Sequence, residues 1–192
     1  FADPLFQLRS FQHRSKRLIQ DLTASIDEEV KATGCSYAIA TERFSADSLR
    51  VTRAHVYTFL LECMQRSVQK APKELQPVLK RVSDLFALHE MQTHSADFLE
   101  DGFLRSCHLQ QIRRLVRQLL TQLRPDALAL VDAFNIPDFV IDSPLGRQDG
   151  DVYRALFEQV KNAPRATGVP SYYDQLIRPL TDSKYVPPPA NE

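Results

Sequence analysis

Glycine is scarce, with five residues in 192. Tight hairpins lean on glycine for positive φ, so the shortage weighs against a hairpin-rich, all-β fold. Only three cysteines occur, Cys35, Cys63 and Cys107. Their odd number, wide spacing and lack of any Cys-x-x-Cys pair argue against a disulfide framework and fit a reducing compartment. No apolar run approaches the ~20 residues of a membrane span. The first residues do not read as a secretory signal. Net charge is missing too, because 24 Lys and Arg balance 24 Asp and Glu. Without a long-range field, nucleic acid and anionic membranes are poor partners for the chain as a whole. The chain opens at Phe1 rather than Met, so a fragment or processed piece is expected.

What is present is helical pattern. Hydrophobic residues make up 43% and charged residues 25%, enough for a self-sufficient core at this length. Asp3 and Pro4 predict a helix start, since the missing N–H of proline is not needed in the first turn. Leu8, Phe11, Leu18, Leu22, Ile26 and Val30 follow at helical spacing, and Gly34 predicts the stop. Residues 35–46 read as a loop. Ser45 or Asp47 then caps a second helix with its apolar stripe on Leu49, Val56, Phe59, Leu60 and Cys63. Pro72 and Pro77 mark a break. A third helix uses Val78, Leu79, Val82, Leu85, Phe86 and His89, and runs out between Leu99 and Gly102. Ser106 caps a fourth, with Leu109, Ile112, Val116, Leu119, Leu120 and Leu123 opposite Arg113, Arg114, Arg117 and Gln118. Pro125 kinks that helix or starts a new one. Residues 126–134 are apolar all round, which predicts deep burial. After an irregular stretch at 135–150, Asp151 caps a shorter helix bearing Val152, Leu156, Phe157 and Val160. Residues 164–170 read as a linker, 172–180 as a last short helix, and 183–192 as an extended or disordered tail. The fold class is therefore all-α: a bundle of about four long amphipathic helices plus shorter C-terminal ones, forming one domain over 1–182.

Few residues suggest chemistry. His89 and His94 are five apart, not the four of a zinc-binding helix motif, and diverge by about 140° around a helix. Cys107-His108 lacks a second ligand pair. There is no Gly-x-Ser-x-Gly elbow and no phosphate-cradling glycine loop. Arg9, Arg14, Lys16 and Arg17, like Arg113, Arg114 and Arg117, read as solvated helix faces. Two acids stand out because their neighbours are apolar: Asp97 in Ala96-Asp97-Phe98-Leu99, and Asp132 in Leu130-Val131-Asp132-Ala133-Phe134. A buried carboxylate needs a partner. Arg147 and the backbone N–H groups of the following turn are the candidates. A structural acid that pins a loop to the bundle is the simpler reading than a general base.

Three runs carry a family resemblance. They are Ala129-Leu130-Val131-Asp132-Ala133-Phe134, Pro137-Asp138-Phe139-Val140-Ile141-Asp142-Ser143-Pro144, and Leu145-Gly146-Arg147-Gln148-Asp149-Gly150-Asp151-Val152-Tyr153. Together they resemble the C-terminal signature of peroxisomal acyl-CoA oxidases. Ala54-His55 and Ala96-Asp97-Phe98-Leu99 add to it, and the resemblance covers about residues 3–163. Gln148 stands where straight-chain members often carry an aromatic residue, and Asp151 where Asn is common. Residues 137–144 are closer to the branched-chain, pristanoyl-type members. The chain ends without a Ser-Lys-Leu type address.

The resemblance implies a parent enzyme that binds FAD and oxidises an acyl-CoA with oxygen to a trans-2-enoyl-CoA and hydrogen peroxide, in peroxisomal fatty acid β-oxidation. It implies that the glutamate base and most flavin contacts lie upstream, so no catalytic, cofactor-binding or metal-ligating residue is assigned here. The chain's role would be to pack on the upstream domains and support a homodimer. Asp97, Asp132, Arg147, Asp149 and Tyr153 are its structural or interface residues. A free-standing helical interaction module and a small acyl-CoA or lipid carrier are the alternatives.

Overall fold

Asp3 sets the first helix. Its carboxylate accepts from the Leu5 and Phe6 N–H groups, and Pro4 follows at the first helical position. Helix α1 (Pro4–Thr33) then runs until Gly34, which takes φ 68° and returns its N–H to the Val30 carbonyl. Both signals were in the sequence, and the helix obeys them. The computed structural model describes residues 1–147, 149–163 and 168–181. The expected tail at 183–192, part of the expected linker (164–167) and Gln148 lie outside the described residues. No described residue is in a strand, so the fold is all-α.

Residues 35–46 are not a loop. They hold α2 (Tyr37–Arg43), capped by the Ser36 hydroxyl accepting from the Ile39 N–H. Seven residues are too few to display a period, which is why the pattern did not expose it. Helix α3 (Ser45–Lys70) follows directly through Phe44, with neither Ser45 nor Asp47 as its cap. Helix α4 (Gln76–Thr93) ends before the expected 99–102. At its end the Asp97 and Phe98 N–H groups reach back only three residues, to His94 and Ser95. This tight turn starts a separate short helix, α5 (Ala96–Leu99), which turns Asp97 and Phe98 inward. Helix α6 (Ser106–Leu123) is preceded by Arg105 as its cap residue, not Ser106. Pro125 opens a 3₁₀ turn (Arg124–Asp126) that leads into α7 (Ala127–Asp132).

By contacts the chain divides into two compact units, Phe1–Leu130 and Val131–Glu192. In the first, α1 packs on α3, α3 on α4, and α4 on α6. Helices α1 and α3 are antiparallel: Gln65 donates to the Pro4 carbonyl and Thr58 to the Phe11 carbonyl. The core gathers Phe11, Leu61, Ala87, Leu88, Met91, Phe98, Leu104 and Ile112. On α4, the expected stripe is only half buried, the inner row being Ser83, Asp84, Ala87, Leu88 and Met91; His89 is exposed.

The second unit contains α8 (Asp138–Ile141), a 3₁₀ turn (Pro144–Gly146), α9 (Val152–Lys161), a π turn (Tyr173–Ile177) and α10 (Arg178–Thr181). None of these elements contains a fully buried residue. The deep burial expected for 126–134 is not found. Leu128, Val131 and Phe134 are all exposed; α7, six residues long and cut by the division between the units, makes fewer than two turns and is too short to build an enclosed face.

Candidate functional site: a buried aspartate between arginines

Asp97 is 4% exposed. It lies on α5, where the tight turn after α4 aims it at α1 and α3. Arg14 of α1 donates through Nε to one carboxylate oxygen at 2.7 Å. Arg50 of α3 donates to the other through Nε at 3.1 Å and also through Nη2. Arg17 of α1 donates to the Asp97 main-chain carbonyl at 2.6 Å and to Glu100 at 3.0 Å. The Arg14 guanidinium, itself 2% exposed, lies 6.0 Å from the centre of the Phe98 ring. Beside this cluster His13 meets Asp101 at 2.5 Å while its ring stacks on Phe103 at 4.2 Å.

Burial alone would raise the Asp97 carboxyl. Hydrogen bonds from Arg50 and Arg14, and their charges, outweigh it, and the group lies below the usual carboxylate range. Arg50 is raised in turn, chiefly by its hydrogen bond to Asp97. A general base works best with a pKa near the operating pH. A carboxylate clamped in its ionised form is therefore a poor proton acceptor and a strong tie. It joins three helices that have no other shared polar contact of this depth. His94, half buried nearby, is lowered mainly by burial and then by the Arg14 charge.

Sequence reasoning singled out Asp97, but neither candidate partner it offered for a buried carboxylate, Arg147 or the backbone of the following turn, is the one Asp97 uses. Arg147 is not involved; it pairs with Asp149 two residues on, at 3.0 Å through Nε. That ion pair is exposed. The hydrogen bond from Arg147, helped by one from the Asp151 N–H, holds Asp149 down at about 2. Asp132, expected to be buried and paired with Arg147, is exposed on the last turn of α7. Tyr153 is 89% exposed on α9. Arg14, read as part of a solvated face, is the partner that was missed. The signal was available: Arg14 falls three after Phe11 and four before Leu18, on the apolar stripe itself.

A second buried polar group ties down the start of the chain. Gln7 donates to Asp84 at 3.1 Å and to the Phe1 carbonyl at 2.9 Å. Lys80 joins Asp84 at 2.5 Å and the Ala2 carbonyl at 3.1 Å. Two open clefts lie among the described residues. One of about 160 Å³ in the first unit is lined largely by charged side chains, among them Arg17, Asp21, Asp47, Arg50 and Glu100. One of about 410 Å³ in the second unit is lined by Asp138, Phe139, Asp142, Ser143, Pro144, Arg147, Ala155 and Gln159. No helix of the described residues is long and apolar enough to cross a membrane.

Comparison with known proteins places these features in a family. The acyl-CoA oxidase family model matches residues 3–182. Rat peroxisomal acyl-coenzyme A oxidase 2 is 35% identical over 182 residues, 94% of this chain and 27% of that protein. Koala (Phascolarctos cinereus) peroxisomal acyl-coenzyme A oxidase 1 is 34% identical over 173 residues, 89% of this chain and 26% of that protein. Among solved structures, acyl-CoA oxidase-1 of Caenorhabditis elegans in an apo form superposes with a TM-score of 0.80 at 27% identity, over 94% of this chain and 29% of that one. The same enzyme complexed with FAD and ATP gives 0.77 at 28% identity, over 91% and 27%. The chain thus spans a little over a quarter of the length of the relatives it matches. With the model running through nearly all of its residues, the chain belongs to the acyl-CoA oxidase family.

Proposed function

We propose that this chain is the C-terminal helical region of an FAD-dependent acyl-CoA oxidase. The parent enzyme would convert an acyl-CoA and oxygen to a trans-2-enoyl-CoA and hydrogen peroxide in peroxisomal fatty acid β-oxidation. The region would serve subunit packing and homodimerisation, not the chemistry itself. The observation that carries this reading is the second unit. Its short elements leave Phe139, Leu145, Tyr153, Phe157 and Leu180 largely in solvent, and large apolar side chains exposed in such number mark surface that a partner covers. The named relatives supply the activity class and the peroxisomal setting. A relative complexed with FAD supplies the cofactor.

The residues present do not fit the flavin. The smaller cleft falls below the ~300–1,000 Å³ of ordinary ligand pockets, and its two arginines are already paired, Arg17 with Asp21 and Glu100 and Arg50 with Asp97. The larger one presents the Asp138 and Asp142 carboxylates, which would repel a pyrophosphate. Most flavin contacts and the catalytic base are assigned, as in the family, to polypeptide outside these 192 residues. Asp97 acts as an internal tie, and the Arg147–Asp149 pair shapes the turn ahead of α9 and Tyr153.

Intact mass and flavin absorbance of the natural protein test the reading. The expected result is a subunit several hundred residues longer, with bound flavin. A flavin-free species of 21.9 kDa would overturn it. In the longer enzyme, Arg147→Ala is expected to lower the melting temperature or weaken dimerisation before it lowers turnover per active site. Unchanged melting and dimerisation with lost chemistry would contradict the packing role.

A further inference from the structure

The outer faces of the first unit are not alike. Helix α6 turns Arg113, Arg114 and Arg117 to solvent with one exposed leucine, Leu120, and α1 turns out Arg9 and Lys16 with Leu5 and Ile19 well apart from each other. Helix α3 does not follow this rule. Its inner side is Ala54 and Leu61, both closed off from solvent. Its outer side is Leu49, Val56, Phe59 and Leu60, between 41% and 59% exposed. At 100° per residue these four sit roughly 120–160° from Ala54, on the back of the helix, away from α1 and α4. A helix apolar on both sides is a helix enclosed on both sides.

Resting on the proposed function above, we infer that the back of α3 is a docking face for the part of the same polypeptide that lies outside these 192 residues. Two considerations choose that occupant. The curated relatives are more than three times as long as the matched region, which is 27% of the rat protein, so a large body of tethered chain is available. The size of the row is the other. From Leu49 to Leu60 it runs about 16 Å and one helix wide, well below the ~800 Å² per partner that a stable association of separate molecules uses. A tethered partner needs less area, because linkage supplies an effective concentration near the millimolar range.

The experiment uses the full-length native enzyme, with its subunit mass and flavin content read on the same sample. A photo-crosslinking benzoylphenylalanine replaces Phe59, and the adducts are mapped by mass spectrometry. An intrachain crosslink to residues outside this segment is the expected result. A crosslink between subunits means that a second copy covers the face, and one within the 192 residues means that the segment covers itself. Either overturns the inference. Labelling of Val56→Cys by a small thiol reagent, compared with Glu28→Cys on exposed α1, keeps the test open if the bulky variant misfolds. Val56→Cys should react at least roughly tenfold more slowly, and equal rates overturn the inference. A long, flavin-bearing subunit whose α3 labels freely would sink this inference alone. A short flavin-free protein would remove the proposed function with it.

Discussion

Asp97 shows how much one side chain can decide. It has given up water for two guanidiniums, and Arg14 has done the same in return. Removing the carboxylate strands Arg14 in a site with no other acceptor of its charge. Asp97→Ala should therefore cost about 3–5 kcal/mol, the range for breaking a buried pair by deleting one partner, read as a shift in the urea midpoint. A loss below about 1 kcal/mol would mean that solvent reaching the partly open Arg50 compensates the pair. The pH dependence has a definite sign. Because the folded carboxyl lies below its ordinary range, its contribution is complete above the unfolded value of about 3.9. It is lost as pH falls through the lower folded value. Asp97→Asn should flatten that acid limb while leaving the neutral-pH slope unchanged. The acid itself was legible from its apolar neighbours. Its partners were not, because Arg14 and Arg50 come from helices 83 and 47 residues away in sequence, and spacing along a chain says nothing about such distances.

Among the helices, α1 and α6 were readable because each buries one stripe and wets the other, so period and burial agree except at Leu120, expected on the apolar stripe of α6 and 53% exposed. Helix α3 was readable only as a helix. Its apolar residues lie on two sides, and the side that looked like the core stripe, Leu49, Val56, Phe59 and Leu60, is the one turned outward. Ala54 and Leu61 do the packing instead, and a single small residue in a stripe is easy to overlook. The two adjacent leucines offer a direct check. Leu61 is sealed from solvent and Leu60 is 41% exposed. In the isolated chain, Leu61→Ala should cost about 2–5 kcal/mol. Leu60→Ala should stay within about 0.5 kcal/mol, as surface changes do. Equal losses in a denaturant titration would mean that α3 is rotated from the orientation described. In the longer enzyme the Leu60→Ala cost should grow, since the proposed cover would then bury it.

On the scale of the whole molecule, the contrast between the two units is a statement about stability. The first encloses a core drawn from four long helices, and the tie at Asp97 joins three of its elements. The second has short helices and apolar residues in plenty, and among its described residues none is fully buried. Local opening is cheap where few apolar contacts must be broken. Amide hydrogen exchange on the isolated chain should therefore show α4, with Ala87, Leu88 and Met91 at its centre, as the slow end of the range. Helix α9, Val152–Lys161, should exchange much faster than α4, since no side chain on it is fully buried. Strong protection of α9 in the isolated chain would show that the second unit is self-sufficient, and its exposed apolar surface would no longer argue for a covering partner. The same measurement on the longer enzyme turns the argument round: if the parent subunit or its dimer mate covers the apolar side of α9, the protection of that helix must rise, while α4, already enclosed by its own unit, should change little.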